Sequence, residues 1–209
     1  MECIVSDDAQ MQSRRLCTPR CSCATISNVP GHVQDIPSRP CAPFRSSGAY
    51  IITAAAYDKL PYLHDDARKQ QWRPSLAFVA EREGWDVVAW VVLSNHYHVL
   101  MQEPESGAER LPRLIGDMHK FLAGRWNKED NTPGRQVWWN YWDTCVTDEH
   151  SYYARLSYIH WNPVRHGLAA RPEEYLFSSV HEYAAGQEEA LRDWEKNYPW
   201  ERVVVPDDF

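Results

Sequence analysis

The stretch Asp86–Met101, DVVAWVVLSNHYHVLM, decides how this chain is read. A valine-rich apolar run ends at Leu93, Ser94-Asn95 supplies a tight turn, and a second run opens with His96-Tyr97-His98. Two such runs separated by two residues predict an antiparallel hairpin, Val87–Leu93 against His96–Met101. Side chains alternate across a strand, so His96 and His98 share one face and Tyr97 takes the other. Paired imidazoles on one face are either surface residues of a half-buried strand or two ligands for a divalent metal.

Working outward, Tyr50–Thr53 is β-branched and aromatic and predicts a first strand beginning near Ala49. Asp65–Gly84 predicts a helix, with Asp65 or Asp66 as cap, an apolar stripe through Trp72, Leu76 and Val79, and Gly84 as stop. Pro74 inside that pattern predicts a kink or a later start. After the hairpin, Leu111, Leu114, Ile115, Met118, Leu122 and Trp126 recur at helical spacing within a second helix over 108–128. Its polar side carries Arg113, Lys120 and Arg125, either a solvated face or a surface for phosphates. Val137–Val146 predicts the last strand; Trp138, Trp139, Tyr141 and Trp142 within it are core residues or a platform for unpaired bases. A third helix is expected over 150–160. Strand, helix, hairpin, helix, strand, helix describes an α+β protein, a ferredoxin-like α/β sandwich with an antiparallel sheet and helices on one face.

Length and composition suit one such domain with extensions: 209 residues, 44% hydrophobic. Residues 1–44 are punctuated by proline and predict a disordered or loosely attached extension, 45–180 the domain, and 181–209 an acidic tail. Five of six cysteines, Cys3, Cys17, Cys21, Cys23 and Cys41, lie in that extension; their spacing matches no common zinc pairing. No apolar run is long enough to span a membrane and the N-terminus has no apolar signal core, so residence in the cytoplasm is expected. The net charge of −7 argues against a nucleic-acid partner until its distribution is considered. Residues 171–209 alone carry −6, which leaves the remainder nearly neutral and able to present a basic face.

Downstream, Tyr158 and Asn162 stand four apart and share a helix face. Pro163 disfavours helical angles at Asn162, which is therefore expected at a helix end or kink. An amide oxygen is a hard donor of the kind Mg²⁺ or Mn²⁺ accepts.

Asn95-His-Tyr-His98, with Tyr158-Ile-His-Trp-Asn-Pro-Val-Arg-His-Gly-Leu168 downstream, resembles the single-tyrosine HUH transposases, and among them the REP-associated tyrosine transposase branch, over roughly 49–179. The resemblance implies that His96, His98 and Asn162 bind Mg²⁺ or Mn²⁺ and that Tyr158 is the nucleophile of a DNA strand-transfer reaction. It implies cleavage and rejoining of single-stranded DNA next to a hairpin, a REP-like palindrome, through a 5′-phosphotyrosine intermediate. Arg113, Lys120, Arg125 and Arg165 would then hold phosphates, and a homodimer could build the site. His160 and His166 are read as surface or DNA-contacting residues. Tyr141, Tyr152 and Tyr153 are rival nucleophiles that lack the spacing to Asn162. The alternative function is a catalytically inactive binding module of the same fold.

Overall fold

The computed structural model describes residues 48–184, 192–193 and 196–205. The extension 1–44, its five cysteines and the tail acids Glu188, Glu189 and Glu195 lie outside the described residues. Four strands, β1 (Ala49–Ala56), β2 (Asp86–Val92), β3 (His96–Gln102) and β4 (Trp138–Val146), form one antiparallel sheet in the order β2-β3-β1-β4. This is the ferredoxin-like order, and the fold class expected from the sequence is the one found.

Helices α1 (Asp66–Glu83) and α2 (Leu111–Glu129) pack together on one face of the sheet. Asp65 caps α1 by accepting from the Ala67 N–H at 2.8 Å, and Gly84 ends it at φ 74°, a conformation that favours glycine. Pro74 is accommodated within the helix on its exposed side. Trp72, Leu76, Leu114, Met118 and Trp126 bury their side chains between helices and sheet. Polar contacts fix the helix pair: Arg82 to Asp117 at 2.6 Å, Arg110 to Glu83 at 3.0 Å, and the Trp126 indole donating to Gln71 at 2.7 Å.

The third helix departs from the expected arrangement. Helices on one face holds for α1 and α2, but α3 (Glu149–Arg165) packs on the opposite face, over β2 and β3. Tyr152, Leu156 and Ile159 there meet Ile51, Val91 and Leu100. Both faces of the strands are apolar, so each needs a cover, and strand periodicity alone does not say which helix covers which.

The packed chain also runs past 180. Ser178 bridges Val91, and the Val92 N–H donates to the Phe177 carbonyl at 2.9 Å, so the outer edge of β2 is covered. Glu182 accepts from the Trp90 indole at 3.0 Å, and the Tyr183 hydroxyl donates to the Val88 carbonyl. Tyr198 lies against Tyr153, and Trp200 stacks on Trp161 with ring centroids 5.9 Å apart. The described part of the acidic end thus runs along α3 and is held by aromatic contacts.

Candidate active site

The hairpin turn positions the histidine pair. The Leu93 N–H donates to the His96 carbonyl at 2.9 Å, closing a two-residue loop at Ser94-Asn95. That loop is tied to the end of β1, because the Asn95 carbonyl accepts from the Ala56 N–H at 2.7 Å. His96 and His98 then face the α3 side, with ring centroids 5.1 Å apart. Each has its Nδ1 engaged. Asn95 Oδ1 lies 2.8 Å from His96 Nδ1, and Thr53 Oγ1 lies 2.8 Å from His98 Nδ1. With an amide oxygen as acceptor, His96 carries its proton on Nδ1 and presents a lone pair at Nε2. Thr53 can orient His98 in the same way, and it stands directly opposite His98 in the β1–β3 register.

From the other side, α3 delivers Tyr158. Asp148 caps this helix by accepting from the Ser151 N–H at 2.7 Å. The helix does not end at Asn162. It continues through Pro163 to Arg165, so Asn162 stays one turn beyond Tyr158 on the same face. Pro163 is buried; burial of its ring and the tertiary hold on α3 override its local preference. The Tyr158 ring sits edge-on to His98 at 5.3 Å, and Arg165 Nη1 donates to the Tyr158 hydroxyl at 3.3 Å. His98, Tyr158 and Asn162 are 0% exposed and His96 is 1% exposed, so the site is shielded from solvent as it stands. Arg165 is exposed, so its guanidinium reaches the phenol oxygen from the solvent side of the site.

The donor set tests the expected metal. Among the described residues no three His, Cys, Asp or Glu side chains cluster as a metal site. Two imidazoles and a buried amide oxygen, Asn162 Oδ1, remain; this mixed N/O set suits a divalent ion that keeps open positions for substrate.

Several residues stand elsewhere than the sequence suggested. His160 is not a surface residue: it is buried, its Nε2 lies 3.0 Å from Ser179 Oγ, and burial pulls its pKa down to about 3. The cause is the segment around Ser179 and Tyr183, which covers the side of α3 away from Tyr158. His166 caps the C-terminal end of α3, and its ring lies 5.1 Å from that of His96, beside the pair. Nothing in strand or helix spacing marks it; only the turn of the chain after Arg165 brings it there. Arg165 is at the nucleophile. Arg113, Lys120 and Arg125 stand exposed on α2, across the sheet from Tyr158, and Arg113 and Arg125 pair with Asp117 and Glu129 one turn on. Among the rival tyrosines, Tyr152 is a buried core residue of α3, Tyr153 packs on Tyr198, and Tyr141 faces the α2 side. The aromatics of β4 divide. Trp138 and Tyr141 pack toward α2, whereas Trp139 and Trp142 are 58% and 36% exposed.

Sequence reasoning missed His119. It lies on α2, stacks on Trp138 at 4.3 Å, and hydrogen-bonds the Tyr97 hydroxyl through Nε2 at 2.8 Å. Burial lowers its pKa to about 3. Its helical position, one residue after Met118 in the apolar stripe, was the available signal.

No family model matches the chain. It is 27% identical over 147 residues to a candidate REP-associated tyrosine transposase of Haemophilus influenzae, which covers 66% of this chain and 82% of the relative. It is 25% identical over 118 residues to a REP-associated tyrosine transposase of Escherichia coli, covering 54% of this chain and 64% of that one. A solved structure of a REP-associated tyrosine transposase bound to a REP hairpin has the same fold, with a TM-score of 0.54 and 20% identity, covering 82% of this chain and 94% of that one. The resemblance read from the histidine pair and the tyrosine helix is therefore borne out by similar proteins. No helix among the described residues is long and apolar enough to cross a membrane.

Proposed function

We propose that this chain, a relative of the REP-associated tyrosine transposases, is itself an enzyme that cuts and rejoins single-stranded DNA beside a hairpin. Tyr158 Oη attacks the phosphorus of the scissile phosphodiester and the bond from phosphorus to the 3′ oxygen breaks. The phenol proton leaves and the 3′ oxygen gains one, so the products are a 5′-phosphotyrosine and a free 3′-hydroxyl. Attack by that hydroxyl, or by another 3′ end, reverses the step and rejoins DNA with no external energy source. Arg165 stabilises the phenolate before attack and lies where it can pair with the phosphate afterwards.

His96, His98 and Asn162 would hold Mg²⁺ or Mn²⁺. The ion would supply polarisation of a non-bridging phosphate oxygen. The Asn95 amide oxygen favours a proton on His96 Nδ1, and Thr53 holds the orientation of the His98 ring.

The observation that carries the reading is the meeting of His98 and Tyr158, sixty residues apart in sequence, with a guanidinium on the phenol oxygen. These side chains come from one chain and meet within it. The test is to incubate the protein and Mn²⁺ with single-stranded oligonucleotides that carry a REP hairpin and its flanking single strand. A covalent protein–DNA adduct that survives denaturation is expected, and it should vanish in Tyr158→Phe while metal binding persists. An adduct formed by Tyr158→Phe would exclude Tyr158 as nucleophile. Hairpin binding without an adduct would leave a binding module in place of an enzyme.

A further inference from the structure

We infer that Arg155 is a second phosphate-binding residue for the DNA strand, set one turn before Tyr158 beside the open half of the sheet that carries Trp142. The inference rests on the DNA-cleaving reading above and extends it to the path of the strand.

Arg155 precedes Tyr158 by three residues, so the two project from neighbouring positions on one side of α3. Ser151 and Asn162 fall on the same side by the same periodicity, and Arg165 completes the stripe. Arg155 is half-buried; its Nη1 donates to the Ser151 carbonyl at 3.3 Å and to Ser151 Oγ. Its Nε is fully buried and has no hydrogen-bond partner among the described residues. Burial pulls its pKa below the usual guanidinium value, and the field of Asp148 offsets only part of that. Asp148 is itself occupied as the cap of α3. A partly desolvated cation bonded, among the described residues, to a hydroxyl and a carbonyl is costly, and an anion with oxygens in one plane meets the guanidinium fork. In a site for DNA, that anion is a backbone phosphate.

The neighbouring surface gives the strand somewhere to lie. Helix α3 packs over β2 and β3, and on the same face Trp142 and Thr144 of β4 are exposed while Val146 is buried with α3. Trp142 stands opposite Thr53, and Thr53 opposite His98, so the three occupy one row across the sheet on the face of Tyr158. A base stacked on Trp142 would leave its phosphate free to reach α3, where Arg155 and Arg165 flank the nucleophile.

The test is binding of a fluorescent oligothymidylate strand across a salt series, without metal. Replacing Arg155→Gln should weaken binding about tenfold at low salt and lower the slope of log K against log salt by about 0.7, the loss of one single-strand phosphate contact. Arg155→Lys should keep the slope and lose affinity a few-fold, because it retains charge without the fork. Thermal unfolding checks that each variant is folded. If Arg155→Gln does not fold, Arg155→Lys alone decides, and undiminished affinity there overturns the inference. An unchanged slope in folded Arg155→Gln also overturns it and leaves the proposed cleavage intact. Failure of the wild-type protein to bind the strand or form an adduct would instead remove the reading on which the inference stands.

Discussion

The two faces of β3 both bury histidine, and they use it in opposite ways. On the α2 face, Tyr97 donates its polar end to His119, which lies flat on Trp138 and is kept neutral by burial. On the α3 face, His96 and His98 have Nδ1 engaged by Asn95 and Thr53, and the His98 ring meets Tyr158, whose hydroxyl accepts from Arg165. The strand is the same, and the imidazoles on the α3 face are the more deeply buried. What differs is whether an imidazole is packed among aromatic side chains or stands beside the tyrosine hydroxyl and its arginine.

The sharpest break between the faces should come from Tyr158→Phe, which is expected to reduce covalent adduct formation at least about a thousandfold by removing the attacking oxygen. Adduct yield and the unfolding midpoint measured together should show activity lost and stability little changed. Its counterpart across the sheet is Trp72→Ala. Trp72 is fully buried against Tyr97 and Trp90, so truncation should cost about 3–5 kcal/mol in urea unfolding. Metal affinity per folded molecule should remain; a specific loss there would show that the two faces are coupled.

A smaller effect is expected from Thr53→Val, which keeps shape and removes the partner of His98. Calorimetry with Mn²⁺ should show affinity lower by about 10–100-fold, the usual effect of losing a partner of a ligating histidine. Tyr97→Phe should instead cost about 1–3 kcal/mol by leaving His119 Nε2 buried without its partner, and leave Mn²⁺ binding unchanged. The smallest signal is in pH. His119 and His160 have folded pKa values near 3, below the ordinary histidine value of about 6.5. The unfolded chain therefore takes up protons first as pH falls, and their contribution to stability is complete above about 6.5 and is lost between there and about 3. Urea midpoints measured across that range should fall, and fall less steeply in His119→Phe.

Much of this protein is legible in its residues. The hairpin, the two amphipathic helices and the last strand fall where periodicity and caps put them, within a few residues. A motif links the histidine pair to Tyr158 and Asn162 in the sequence, and of these the structure brings His98 against Tyr158. The side of the sheet taken by α3 was not legible, because β1, β2 and β3 are apolar on both faces. Nor was the role of Pro163, whose local preference is to end a helix, or the burial of His160, which depends on a segment arriving twenty residues later.

Alternation along His96-Tyr97-His98 was enough to assign the two histidines to one face and Tyr97 to the other, since it follows from backbone geometry alone. Which face became the site was decided by tertiary structure. Only the packing of α3 onto that face brings Tyr158 to His98 and Arg165 to the phenol, and only the seating of α2 gives Tyr97 its partner in His119. Contacts between residues far apart in sequence depend on how whole elements pack, and no local pattern records them.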